Sequence, residues 1–263
     1  MTKQFSFLVL FKLAADLFSA DLWSEALTAE TWPNDFEIPL VISYNRNPNF
    51  TGRIQDLDHM HNFLDDVRQK KTPSVPLVIH GTGGIGKTQL VREFVFEHAA
   101  KFSSIIWIDA RNLQNVYNSF VGLIQKLVDC YVGKSRVTPP PYLRIARHLG
   151  ISGLVGEDGQ IVADSTGLDR IVSACLQWLE REGNTSWLLI FDNVDDLETF
   201  RISEFFPKRV QGSIIVTSRR PDCSRLGEGW KVEIMKMEES IDLLSKSYGR
   251  TIKESDNGMA SPH

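Results

Sequence analysis

Val75-Pro76-Leu77-Val78-Ile79-His80-Gly81-Thr82-Gly83-Gly84-Ile85-Gly86-Lys87-Thr88 is the stretch on which the reading of the whole chain turns. A short apolar run ends in glycines, which predicts a buried strand running into a tight loop. Leu90, Val91, Phe94 and Val95 then recur at helical spacing, so a helix over 87–100 follows the loop. Gly81, Gly86, Lys87 and Thr88 satisfy the pattern G-x-x-x-x-G-K-[ST]. Glycines let such a loop curl until successive backbone N–H groups converge, and the helix behind adds the positive end of its dipole. That arrangement cradles phosphate. Lys87 is suited to reach β- and γ-phosphates, and the Thr88 hydroxyl to ligate Mg²⁺. Gly81, Gly83, Gly84, Ile85, Gly86, Lys87, Thr88 and Gln89 are therefore the predicted nucleotide-binding residues.

Working outward, Ile54, Leu57, His61, Leu64 and Val67 predict a helix over 53–70 ahead of the strand. Further strands are predicted at 104–109, 187–191 and 213–217, with a weaker fifth at 232–234. Helices are predicted from 113 to 131, over 142–149, from Thr166 onward and over 238–247. Thr166 with Asp169 three residues on reads as a capping box. Residues 150–159 are Gly-rich and read as a loop. Continuous apolar strands alternating with helices indicate a sheet covered on both faces. The predicted fold is α/β, a three-layer P-loop NTPase with a five-stranded, mainly parallel sheet flanked by helices. Residues 1–38 read as an N-terminal helical segment, 39–250 as the nucleotide-binding domain and 251–263 as a disordered tail.

The bulk numbers exclude several classes. The chain has 263 residues, 42% hydrophobic and 24% charged, with net charge -4 and a pI near 5.9. These are globular values, large enough for a core without disulfide staples. The acidic balance is read as excluding nucleic acid and anionic membrane as partners. The apolar run at 5–11 is too short to span a bilayer. Cys130, Cys175 and Cys223 are scattered without CxxC spacing, which argues against zinc and for a reducing, cytoplasmic setting. His59 and His61 lie two apart on a predicted helix and so point apart, which argues against a metal pair.

Two more pieces complete the site. Trp187-Leu188-Leu189-Ile190-Phe191-Asp192 is an apolar strand ending in aspartate, where an acid would hold Mg²⁺ beside the glycine loop. Asn193 follows it, and an amide can hydrogen-bond water but cannot accept its proton. Slow hydrolysis, or none unaided, is therefore expected. Ile214-Ile215-Val216-Thr217-Ser218-Arg219 delivers an arginine from another strand end, suited to a γ-phosphate. The catalytic candidates are Asp192, Asn193 and Arg219; the metal candidates are Thr88 and Asp192. No Asn-Lys-x-Asp motif is present, so ATP/ADP is preferred over guanine nucleotides.

In order, these motifs resemble the NB-ARC domains of signal-transduction ATPases with numerous domains, the class of NOD-like receptors and plant resistance proteins. The resemblance rests on residues 39–57, where Phe50-Thr51-Gly52-Arg53 stands for the usual Val-Gly-Arg-Glu, and on the glycine loop. It extends to the 105–110 strand with Trp107, to LLIFDNVDD at 188–196 and to GSIIVTSR at 212–219. It implies that Phe50 and Arg53 border an adenine pocket. It implies an ATP/ADP switch with slow or no hydrolysis that controls oligomerisation with itself or protein partners, in defence or cell death. Family members continue into a helical domain with Gly-x-Pro and a winged helix with Met-His-Asp; neither motif follows here, so the chain is read as truncated before them. The alternative is an active P-loop ATPase, either an AAA-like motor or a small-molecule kinase. A scaffold with a degenerate site is a third reading, opposed by the intact Lys87, Thr88 and Asp192.

Overall fold

The computed structural model describes residues 46–71, 74–134 and 142–249. The predicted N-terminal helical segment and the predicted tail lie outside the described residues. Eleven principal elements follow in order among those described: α1 (Ile54–Arg68), β1 (Leu77–His80), α2 (Lys87–His98), β2 (Ser104–Asp109), α3 (Leu113–Lys134), α4 (Tyr142–His148), α5 (Ser165–Leu179), β3 (Trp187–Asp192), β4 (Ser213–Ser218), β5 (Glu228–Lys231) and α6 (Met237–Tyr248).

The five strands form one sheet in the order β2-β3-β4-β1-β5, and every pairing is parallel. β3 and β4 are buried along their whole length because they have a strand on each side and helices above and below. Residues aligned across parallel strands share a face. Leu77, Ile79, Leu188, Ile190 and Ile215 thus project together onto Met60 and Leu64 of α1 and Leu90, Val91 and Phe94 of α2. On α3, Val116, Phe120, Leu123, Ile124, Leu127 and Val128 recur at three- and four-residue intervals and form its buried stripe. It packs with α5, where the Cys175 thiol lies 3.7 Å from the Phe120 carbonyl. This is the three-layer α/β architecture of P-loop NTPases, with β1 between β4 and β5 so that the glycine loop leaves an interior strand at the C-terminal edge of the sheet.

Two expectations are corrected. The fifth strand is Glu228–Lys231, ahead of the 232–234 run. It pairs on one side only, with β1, and its exposed Glu228, Gly229 and Lys231 carry no apolar signature. Val232 follows it as a buried residue whose N–H donates to His80 O at 2.8 Å. At α5 the cap is Asp164, whose Oδ1 accepts from Gly167 N at 2.8 Å; Asp169 accepts from Tyr117 Oη instead. His59 and His61 do diverge, His59 stacking on Trp230 and His61 facing His98.

Candidate functional site

β1 ends at His80, and the loop from Gly81 to Gly86 crosses the C-terminal edge of the sheet into α2. Gly84 and Gly86 hold φ of 79° and 98°, in the left-handed region. No atom lies within 4 Å of where a Cβ would sit at either position, so the requirement for glycine is conformational rather than steric. Gly86 caps α2 without any side-chain hydrogen bond, and the first turn holds no acid. No side chain therefore caps the N–H groups of that turn, as suits an anion site.

Lys87 is 7% exposed, and its Nζ donates to Gly81 O at 2.7 Å and Thr82 O at 3.0 Å. Burial pushes its pKa down, opposed by the carboxylates of Asp195 and Asp192 and aided by Arg219. A cation tied only to two neutral carbonyls is well suited to turn toward phosphate oxygens.

Asp192, at the C-terminal end of β3, is 5% exposed. Its Oδ1 accepts from Thr88 Oγ1 at 2.9 Å and from Thr217 Oγ1 at 2.6 Å, and its Oδ2 from Asn193 Nδ2 at 3.2 Å. Burial raises its pKa against the pull of those two hydroxyls. The Thr88–Asp192 pair joins the start of α2 to the end of β3 and puts side by side a hydroxyl and a carboxylate, oxygen donors that could hold Mg²⁺. Among the described residues no group of three His, Cys, Asp or Glu side chains could hold a metal unaided.

Asn193 has φ 65°, a left-handed conformation that asparagine tolerates far better than glutamate. The turn aims its N–H at Thr217 Oγ1, 2.9 Å away. Two residues on, Asp195 Oδ1 accepts from Arg219 N at 2.7 Å, and its Oδ2 pairs with Arg219 Nε at 3.2 Å. A Cβ at Gly83 would lie 3.4 Å from that same Nε, so the guanidinium rests against the glycine loop.

The predicted residues thus fall into two groups. Gly81, Gly83, Gly84, Ile85, Gly86, Lys87, Thr88, Asp192, Asn193 and Arg219 converge at one edge of the sheet, with Gln89 half-buried in the first turn of α2. Phe50 packs against the β1–α2 core. Arg53, 8% exposed, donates to Ile85 O at 2.9 Å and to Glu233 O at 2.6 Å, tying the segment before α1 to the loop and to the chain after β5. Sequence reasoning passed over Thr217 and Asp195. The register of β3 against β4, which puts position 217 beside Asp192, was the missing signal.

A family profile described as an AAA ATPase domain matches residues 49–205, more than half of the chain. Among curated proteins no significant relative is found. Solved structures with a similar fold include the Walker-type ATPase PABY2304 of Pyrococcus abyssi (14% identity, TM-score 0.44) and Cdc6p of Pyrobaculum aerophilum (14%, 0.44). Each match covers 80% of this chain, which spans 62% and 54% of those two proteins respectively. The Orc1 protein of Aeropyrum pernix, solved in complex with DNA, is 15% identical over 76% of this chain and 50% of its own, with TM-score 0.48. The reading that nucleic acid is excluded is corrected on that structure. A whole-chain net charge averages over faces and excludes no local basic surface. Among the described residues no helix is long and apolar enough to cross a membrane.

Proposed function

The chain belongs to the AAA ATPase domain family, and on that premise we propose that it binds and hydrolyses Mg²⁺-ATP, with Asp195 supplying the carboxylate that position 193 lacks. The observation that carries this reading is the junction at 2.9 Å between Thr88 Oγ1 and Asp192 Oδ1, at the mouth of an uncapped helix. Loop N–H groups and Lys87 hold the phosphates; Thr88 and Asp192 hold the metal; Arg219 meets charge developing at the γ-phosphate. Asp195 lies within electrostatic reach of Lys87 and in contact with Arg219, where it orients water. Phe50 and Arg53 shape the adenine side. The three free thiols suit the reducing cytoplasm.

A second reading, the NB-ARC-type switch that assembles with itself or protein partners, is favoured by one observation. Asn193 occupies the position of a second acid, in a backbone conformation hostile to glutamate, with its amide committed to Asp192. Steady-state ATP hydrolysis by the full chain, with a Lys87→Ala control, separates the two. Multiple turnovers abolished in the control support the ATPase. Stoichiometric nucleotide binding with no turnover overturns it in favour of the switch.

A further inference from the structure

The opposite, N-terminal edge of the sheet carries a cleft of about 710 Å³ that the nucleotide site does not use. Its walls come from the end of α1 and from the segments leading into β1, β2, β3 and β4. Four cations line it, Arg68, Lys70, Lys101 and Arg209, against one carboxylate, Asp65. Asp65 is shared, lying 3.4 Å from Arg68 Nη1 and 3.3 Å from Lys101 Nζ. The side chains of Lys70 and Arg209 make no ion pair among the described residues.

A helix C-terminus attracts cations, which accounts for Arg68 and Lys70 at the end of α1. Lys101 likewise ends the short 3₁₀ helix Ala99–Lys101, but Arg209 ends no helix; it arrives from the segment before β4 and faces the same space. The remaining lining is mostly polar, with the hydroxyl residues Ser74, Thr185 and Ser186 beside Val67 and Val210, and no aromatic ring lines the cleft among the described residues. No aromatic face there offers a base to stack on, and hydroxyls and guanidinium groups suit phosphate oxygens. The volume is that of a small-ligand site rather than a strand-binding track.

We propose that this cleft binds a small polyphosphate anion, independently of the ATP site. The test uses the full chain carrying Lys87→Ala, so that the glycine loop does not compete, and titrates it calorimetrically with tripolyphosphate at low salt. The expected result is saturable one-to-one binding that weakens about tenfold when Lys70→Gln and Arg209→Gln are added, and that weakens further with salt. Both side chains are exposed and glutamine removes the charge while staying polar, so an unchanged melting curve shows that the fold is intact. No saturable binding in the Lys87→Ala chain, or binding unchanged by the two substitutions, overturns the proposal. A second arm titrates single-stranded oligothymidine. If it binds more tightly than tripolyphosphate and loses affinity with the same substitutions, the cleft is a nucleic-acid surface and the small-anion assignment fails.

Discussion

Residues 81–89 reach the site as one uninterrupted stretch and offer a phosphate mainly backbone. Asp192, Asp195, Thr217 and Arg219 reach it from two strands and offer mainly side chains; Asp192 and Thr217 stand 25 residues apart in sequence. The first half is fixed by local conformation, above all the left-handed glycines. The second is fixed by register. A slip of one residue between β3 and β4 would turn the Thr217 hydroxyl to the other face of the sheet and leave Asp192 short of a donor. The cradle should therefore fail through binding, and the acidic half through turnover, metal dependence and stability, in that order of size.

The largest effect belongs to the cradle. Lys87→Ala should weaken ATP binding by roughly 10³-fold, the loss of two charge-assisted contacts. Fluorescent-nucleotide titration reads it directly. Wild-type affinity in that variant would remove the basis for the phosphate site. Asp195→Asn should next lower kcat about 100-fold, the low end of what a positioned acid–base group contributes, with affinity nearly unchanged. A rise in kcat would mean instead that Asp195 restrains Arg219, and would sink its role in orienting water.

The same division explains what the sequence made legible. The strand–glycine loop–helix unit could be read at 77–98 because its signal is contiguous: an apolar run, four glycines and a helical stripe. Asp192 and Arg219 were also legible, each ending a strand whose burial is written in its own residues. Thr217 was not, because a threonine in an apolar strand reads as packing until its neighbour across the ladder is known. Asp195 lies beyond the apolar strand, where nothing in its neighbours marks a role; the left-handed turn at Asn193 brings it back to Arg219. The edge strand β5 was displaced for a related reason. It is held by hydrogen bonds to β1 rather than by burial, so hydropathy pointed past it to Val232.

A smaller effect tests the metal assignment. Asp192→Ala should weaken ATP binding about tenfold in Mg²⁺ and hardly at all in EDTA, because its carboxylate serves the cation rather than the nucleotide. Equal losses with and without Mg²⁺ would reassign Asp192 to a purely structural part.

The smallest effect is the most specific to register. Thr217→Val keeps the shape of the side chain but removes the hydroxyl that donates to Asp192 at 2.6 Å and accepts from Asn193 N at 2.9 Å. Position 217 is fully buried, so water cannot replace either bond. Leaving those groups unsatisfied costs about 1–3 kcal/mol, which lowers Tm by roughly 2–4 °C per kcal/mol in a domain of this size. Mg²⁺-ATP affinity should fall no more than about threefold, since Thr88 still orients the carboxylate. Thr217→Ser retains the hydroxyl and should recover most of the lost Tm, less the small cost of the missing methyl group. A Thr217→Val protein as stable as the parent would show that the two strand ends are held by packing alone. The acidic half would then depend on the hydrophobic register of β3 and β4, as the cradle depends on its glycines, and the contrast between the halves would vanish.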